Sequence, residues 1–252
     1  MPSRPWLLLI LALCLALAVS LFLNVRLFRQ AKGYYQELNQ ARLDPLNLNE
    51  FVDEPMTPSE QPTVMFFGDS RAAAWPNPSL SSFHYVNRGI GAQTTAQVWG
   101  RYEAHVRPQP PTVLILQVGI NDLKTIPLFP QDRQAIVDST ITHIEAIVAA
   151  ATSQGTTVIL TTIFPAGRVP LERQLFWSDD VAVALQEVNT ALTNMAGPNI
   201  ILLDTHTLLV DATGATQTTF YQDTLHLNPT GYTHLNQSLI PLLQDLKLAT
   251  QN

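Results

Sequence analysis

Ser70, Asn121, Asp223 and His226 stand in short polar motifs whose spacing could support acyl transfer. Ser70 directly follows an apolar run, where a strand-to-helix turn would expose its hydroxyl as a nucleophile. Asp223 and His226 share one loop, so the carboxylate can orient the imidazole and leave its other ring nitrogen free as a base. The Asn121 amide can donate a hydrogen bond to a developing oxyanion.

Each motif taken alone also has a structural explanation. Ser70 could cap the helix that follows it, and Asn121 could close an Asx-turn at the end of a strand. His226 could be a solvated loop residue. A metal site is a further alternative without a known ligand spacing. Its ligands would be Asp204, His206, Asp223 and His226. The ordered combination of the motifs favours acyl transfer.

Alternating strand and helix patterns predict an α/β fold that brings these motifs together. Apolar runs rich in β-branched residues predict buried parallel strands. They occur at 63–67, 112–118, 156–164 and 199–204, with a weaker run at 84–87. Short crossovers between such strands give a parallel sheet covered by helices on both faces. Ligands bind beyond the carboxyl ends of the strands, which is where the polar motifs lie.

Three helices are predicted by apolar residues that recur every three or four positions. Their stripes are Val137, Ile141, Ile144, Val148 and Ala151; Val181, Leu185, Val188, Leu192 and Met195; and Leu235, Leu239, Leu242 and Leu246. Asn228 and Pro229 fit the N-cap and the first position of the last helix.

The N-terminal segment, residues 1–25, contains an apolar run from Trp6 to Val25. About 20 helical residues at ~1.5 Å each cross a ~30 Å hydrocarbon core, so we expect a single-pass membrane anchor. A cleaved signal peptide, with Ala16-Leu17-Ala18 at its cleavage site, and a buried core helix are the alternatives. Basic residues after the run favour a cytoplasmic domain, whereas signal-like geometry favours export. The side of the membrane stays open, with the extracytoplasmic side favoured.

Residues 26–62 are expected to form a stalk that ends in a linker with Pro55, Pro58 and Pro62, and residues 63–252 to form one catalytic domain. Residues 43–252 hold 9 of the 14 basic and 19 of the 20 acidic residues, which disfavours nucleic acid as a partner. The lone cysteine, Cys14, excludes an intramolecular disulfide and a thiolate metal site.

Four blocks in this order resemble the SGNH hydrolases, also called GDSL esterases and lipases. They read VMFFGDSRA, NRGIGAQTT, VGINDL and DTLHLNPTGY, and span residues 64–232. The pattern most resembles the branch of platelet-activating-factor acetylhydrolases and lysophospholipase-like esterases. The resemblance implies a flavodoxin-like α/β/α sandwich with five parallel strands, and hydrolysis of carboxylic esters of small molecules, lipids or glycans without metal or cofactor.

Carried over block by block, Ser70 resembles the nucleophile and a backbone donor, and Asn121 the side-chain donor of the oxyanion hole. His226 resembles the base and Asp223 its orienter. The second block departs from the family pattern, because Ala92 stands where a glycine commonly donates its N–H to the oxyanion. That donor survives if φ is negative at Ala92, and the Gly91 N–H is the alternative.

Asp69 and Asp122 are expected to fix loops by hydrogen bonds. Two further activities remain as alternatives to ester hydrolysis. The same residues could transfer an acyl group to or from a cell-surface glycan or lipid, or the domain could be a non-catalytic binding module.

Overall fold

The computed structural model describes residues 4–54, 57 and 59–249. The chain divides into two compact units, one that ends at Asn47 and one that begins at Leu48. Of the three linker prolines, Pro55 and Pro58 lie outside the described residues.

The first unit consists mainly of one helix, α1 (Arg4–Leu43), in which the apolar run and the polar stretch after it are continuous. Its 40 residues extend about 60 Å at the usual helical rise. The large apolar side chains between Trp6 and Val25 are all exposed, as a membrane anchor or a signal sequence would leave them. A second segment, Pro130–Ser153, is also long and apolar enough to cross a membrane. It belongs to the other unit and packs into the core of that unit.

Five parallel strands form a single sheet in the second unit. They are β1 (Thr63–Gly68), β2 (His84–Gly89), β3 (Val113–Gln117), β4 (Thr157–Thr161) and β5 (Ile200–Leu203), in the spatial order β2-β1-β3-β4-β5. All five predicted strands are confirmed. The strand predicted at 156–164 ends earlier, because the Ile163 N–H and carbonyl pair with the Asn189 side chain instead of a neighbouring strand.

Helices cover both faces of the sheet. They are α2 (Ser70–Ala73), α3 (Thr95–Gly100), α4 (Tyr102–His105), α5 (Ile120–Leu123), α6 (Arg133–Ser153), α7 (Asp180–Asn194), α8 (Thr205–Leu209) and α9 (Pro229–Ala249). Short 3₁₀ turns lie at Ile126–Leu128, Pro130–Asp132 and Leu171–Phe176.

The strands bury their two faces in two separate apolar clusters. Met65 and Phe67 of β1 join the cluster that contains the apolar stripes of α6 and α7. Val64 and Phe66, the alternate residues, join the cluster that contains the leucines of α9. The α/β/α sandwich with five parallel strands is therefore confirmed.

The predicted stripe of α9 needs one correction. Leu235, Leu239 and Leu243 are fully buried, whereas Leu242 and Leu246 pack only partly against the same cluster. A repeat of four residues drifts slowly around a helix, and here it keeps Leu243 rather than Leu242 against the sheet.

The last part of the predicted stalk packs within the second unit. The Phe51 ring lies 4.5 Å beneath the guanidinium of Arg88 and 5.3 Å from the ring of His105. Arg88, which is 6% exposed, also donates to the carbonyl of Glu54 and lies 3.9 Å from its carboxylate. Residues 48–54 are thus in contact with the sheet edge at β2.

Candidate active site

A sharp turn after β1 places Ser70 at the carboxyl end of the sheet. Gly68 has φ +147°, and a Cβ there would lie 1.8 Å from the carbonyl oxygen of Gln117, so only glycine fits. The carboxylate of Asp69 accepts a hydrogen bond from the Arg71 N–H at 2.8 Å, which caps α2 and confirms the predicted loop-fixing role. Ser70 is the first residue of α2, and its hydroxyl is partly exposed.

The loop before α9 brings the predicted acid and base to this hydroxyl. His226 Nε2 lies 3.0 Å from Ser70 Oγ. His226 Nδ1 lies 3.0 Å from Oδ1 and 2.9 Å from Oδ2 of Asp223. Asn228 accepts from the Gly231 N–H at 3.0 Å and so caps α9, as predicted, directly after the loop. The three side chains form a continuous hydrogen-bonded chain from carboxylate to hydroxyl.

Local hydrogen bonds keep the Asp223 carboxylate ionised. Partial burial raises the pKa of Asp223, but N–H groups of Leu225 and His226 that bond to Oδ1, together with the imidazole, lower it to a value below the usual one. A carboxyl group with a depressed pKa stabilises the fold at neutral pH, and this contribution is lost as the pH falls through the folded-state value.

Arg71, which the sequence reasoning did not single out, ties the two loops together. Its side chain is fully buried, and its Nε donates to the carbonyl of Leu225 at 2.7 Å. One terminal nitrogen donates to the Phe164 carbonyl at 3.0 Å, and the Tyr232 hydroxyl donates to the Arg71 carbonyl at 3.0 Å. Burial lowers the pKa of Arg71 to about 10, so the clamp is charged at neutral pH.

Asn121 follows β3 and is held at both ends of its amide. It is 4% exposed. Its Nδ2 donates to the Gln93 carbonyl at 3.0 Å, and its Oδ1 accepts from Lys124 Nζ at 2.6 Å. Because an amide nitrogen has two N–H groups, one remains for another acceptor.

The block after β2 holds Ala92 in an uncommon backbone conformation. Asn87 bonds the carbonyl of Ala72 at 2.9 Å and the N–H of Gly89 at 2.8 Å, which joins this block to α2. Ala92 has φ +62°, so the condition of a negative φ that was set for this donor is not met. This left-handed conformation costs a residue with a Cβ about 1–2 kcal/mol. The N–H of Ala92 is retained.

Asp122 connects the second and third blocks. Its carboxylate accepts from the Thr95 N–H at 2.9 Å and from the Thr95 hydroxyl at 2.7 Å, which confirms its predicted loop-fixing role. Burial raises the pKa of Asp122, while the hydrogen bonds from Thr95 oppose that shift. Asp122 thereby fixes the start of α3 beside Asn121.

The alternative metal set also contains Asp204 and His206. These two residues lie at the start of α8. Asp204 caps α8 by accepting from the Thr207 N–H at 3.1 Å and its hydroxyl at 2.6 Å. In the part of the chain that the structure describes, no group of three or more His, Cys, Asp or Glu side chains could hold a metal ion.

Several solved structures share this fold. A structure from Streptococcus pneumonia named after platelet activating factor has a TM-score of 0.66 and 21% identity, and the match covers 84% of this chain and 99% of that one. A GDSL-like lipase from Bacteroides thetaiotaomicron has a TM-score of 0.65 and 21% identity, with coverage of 81% and 98%. An acetylxylan esterase from Geobacillus stearothermophilus has a TM-score of 0.51 and 17% identity, with coverage of 74% and 95%. At these identities the likeness shows the fold alone.

The sequence itself identifies the family. No curated protein matches it. Residues 60–234, which include the four blocks and the chain of hydrogen bonds from Asp223 to Ser70, match the family described as GDSL-like lipase/acylhydrolase. The chain therefore belongs to the GDSL-like lipase/acylhydrolase family.

Proposed function

We propose that the protein hydrolyses carboxylic esters with Ser70 as nucleophile, His226 as general base and Asp223 as its orienting acid. The observation that carries the proposal is the hydrogen-bonded sequence from Asp223 through His226 to Ser70, with heavy-atom distances of 2.9 and 3.0 Å. A base must lie within hydrogen-bond reach of the proton that it removes, and His226 Nε2 meets this condition.

The reaction would proceed through an acyl-enzyme. Ser70 Oγ forms a bond to the ester carbonyl carbon while its proton passes to His226 Nε2. The tetrahedral oxyanion collapses, and the alcohol leaves with the proton from His226. Water then attacks the acyl group, with His226 again as base, and its oxygen is retained in the carboxylic acid. Ser70 regains its proton in this step.

Three donors would stabilise the oxyanion: the N–H groups of Ser70 and Ala92, and the second Nδ2 proton of Asn121. Among the residues that the structure describes, neither backbone N–H has a hydrogen-bond acceptor. The same is true of Gly91, the alternative backbone donor. The connection of Asn121 to the Gln93 carbonyl ties the side-chain donor to the segment that carries Ala92.

Hydrolysis is favoured over transfer to another alcohol because water reaches the base. The side chains of His226 and Asp223 are 37% and 48% exposed. An acyltransferase has to exclude water from its acyl-enzyme, and this half of the site is open.

Part of the ester would lie in the groove of about 510 Å³ beside the catalytic loop. This groove is lined by Arg168, Val169, Pro170, Leu171, Gln174 and Tyr221. Its wall is joined to the catalytic loop, since the Thr224 hydroxyl donates to the carbonyl of Arg168 at 3.3 Å. Polar and apolar side chains both line this groove, so the series of ester chain lengths in the test below measures which groups it accepts.

The test is hydrolysis of p-nitrophenyl esters of increasing chain length by the full chain in detergent, with Ser70→Ala as the blank. Ser70→Ala and His226→Ala are expected to lose nearly all turnover and to keep the melting temperature, since both sites are partly exposed. A fluorophosphonate should label wild type at Ser70 alone. Substantial turnover by Ser70→Ala would overturn the assignment.

A further inference from the structure

Lys124 is a cation in direct contact with the candidate oxyanion donor. It follows α5 directly and serves as its C-cap, three residues after Asn121. Its Nζ lies 2.6 Å from Asn121 Oδ1, and the side chain is partly buried. None of the four sequence blocks includes this residue, because the third block ends at Leu123.

The contact fixes which end of the amide can serve the oxyanion. A lysine ammonium only donates, so the amide atom beside Lys124 must be the oxygen. The Gln93 carbonyl only accepts, so the atom beside it must be the nitrogen. The two partners together hold the Asn121 N–H groups on the side away from Lys124 and leave one of them for the substrate.

The positive charge also changes the donor itself. An ammonium on the oxygen of an amide polarises the group and strengthens hydrogen bonds from its nitrogen. In a partly buried site this effect is less screened than in water. Negative charge develops on the substrate oxygen during the reaction, so the benefit is larger in the transition state than in the bound ester.

The geometry points to Lys124 as a positioning residue of the oxyanion hole, which orients and polarises the Asn121 amide. This inference rests on the proposed ester hydrolysis. Lys124 acts through Asn121, and its loss is expected to lower kcat while KM stays nearly constant.

The environment of Lys124 makes the inference testable by pH. Burial lowers the pKa of Lys124, and Arg173 and Arg71 lower it further, whereas Asp69 and Asp122 oppose the shift. Deprotonation above this lowered value would remove the charge on the amide. The kcat of wild type should therefore fall at alkaline pH, whereas an arginine at this position stays charged.

The experiment compares Lys124→Met and Lys124→Arg with wild type, each as the full chain in detergent and with p-nitrophenyl acetate. Lys124→Met should lower kcat about 10- to 100-fold, the effect of losing a charged hydrogen-bond partner, with KM within about threefold. Lys124→Arg should recover most of this loss and keep its kcat at alkaline pH. Arg173→Met, which removes a neighbouring charge but not the hydrogen bond, is the control and should stay within about threefold.

A double-mutant cycle decides whether Lys124 acts through Asn121. Lys124→Met should have almost no further effect on kcat in an Asn121→Ala background, because the group that it orients is gone. An equal loss in both backgrounds, or a Lys124→Met enzyme with wild-type kcat, would overturn the inference. If Ser70→Ala stays active, the proposed hydrolysis itself fails; if Ser70 is essential and Lys124→Met is silent, only the role of Lys124 fails.

Discussion

The two halves of the candidate site are built in different ways. The acid–base half, Asp223 and His226, lies in one four-residue stretch whose side chains are 48% and 37% exposed. The oxyanion half combines Ala92 with Asn121, which is 4% exposed and held by partners from two segments. The acid–base half is local, because the acid and the base are paired within their own loop, whereas the oxyanion half is assembled by the packing of several loops. Substitutions in the first half should therefore change mainly the catalytic rate, and those in the second half should change the stability of the fold as well.

Asp223→Asn should have the largest effect among the substitutions that follow. An amide at this position can donate to His226 Nδ1 and so favours the wrong tautomer, at a cost of up to ~10⁴ in kcat. The geometry should be retained, and the melting temperature at neutral pH should fall only slightly, through loss of the charged carboxylate's contribution. The matched control is Asp211→Asn, because Asp211 bonds to Thr213 in the preceding loop and not to the imidazole. Equal losses in the two variants would mean that Asp223 is not the orienting acid.

Asn121→Ala should lower kcat by about 10²–10³ and leave KM nearly unchanged, because the interaction strengthens as charge develops on the oxyanion. Asn189→Ala is the matched control. Asn189 is equally buried, at 4% exposed, but bonds the backbone of Ile163. This control should lower the melting temperature and leave kcat near wild type. If Asn121→Ala loses stability and keeps its kcat, the residue belongs to the scaffold instead.

The sequence predicted the local half better than the assembled half. Asp223 and His226 could be paired from their spacing alone, and the capped helix after them confirmed where the loop ends. The clamp by Arg71 could not be predicted, because its acceptors lie more than 90 residues away. Periodicity also predicted the sheet and the three long helices α6, α7 and α9, but not the short helices. It could not decide between Leu242 and Leu243, since both satisfy helical spacing.

The backbone conformation of Ala92 was the second feature that the sequence could not predict. The Gly91-Ala92 pair suggests a turn but does not predict whether φ of Ala92 is positive or negative. Alanine normally avoids the left-handed region. The φ of +62° at Ala92 nevertheless lies in that region. Ala92→Pro, which could delete the N–H donor, is therefore not a clean test, because proline fixes φ near −65° and would disrupt the loop.

The length of an N-terminal truncation should affect the packing near the oxyanion half, and this effect should be visible in the melting temperature. A chain that begins at Leu48 retains the packing of Phe51 on Arg88, at the strand that leads to Ala92. A chain that begins at Thr63 leaves the buried Arg88 guanidinium without these contacts, at a cost of about 2 kcal/mol, which lowers the melting temperature by roughly 4–8 °C.

Both truncated proteins should be soluble and should keep kcat within about twofold, because neither deletion reaches Ser70 or His226. Phe51→Ala in the longer protein is the control and should reproduce part of the loss in thermal denaturation. Equal melting temperatures for the two proteins would show that residues 48–62 contribute nothing to the stability of the second unit.

Ala92→Gly should have the smallest effect on catalysis. Unlike the truncation at Thr63, it should raise the melting temperature. Glycine adopts φ +62° without a steric cost, but it loses more conformational entropy on folding, so the net gain is about 1 kcal/mol, or roughly 2–4 °C in melting temperature. The N–H is retained, so kcat should stay within about tenfold of wild type. Gly91→Ala is the comparison, because the space around Gly91 is open and its φ is not in the left-handed region. If Ala92→Gly lowers the melting temperature instead, the strain at Ala92 is not what limits the stability of the assembled half.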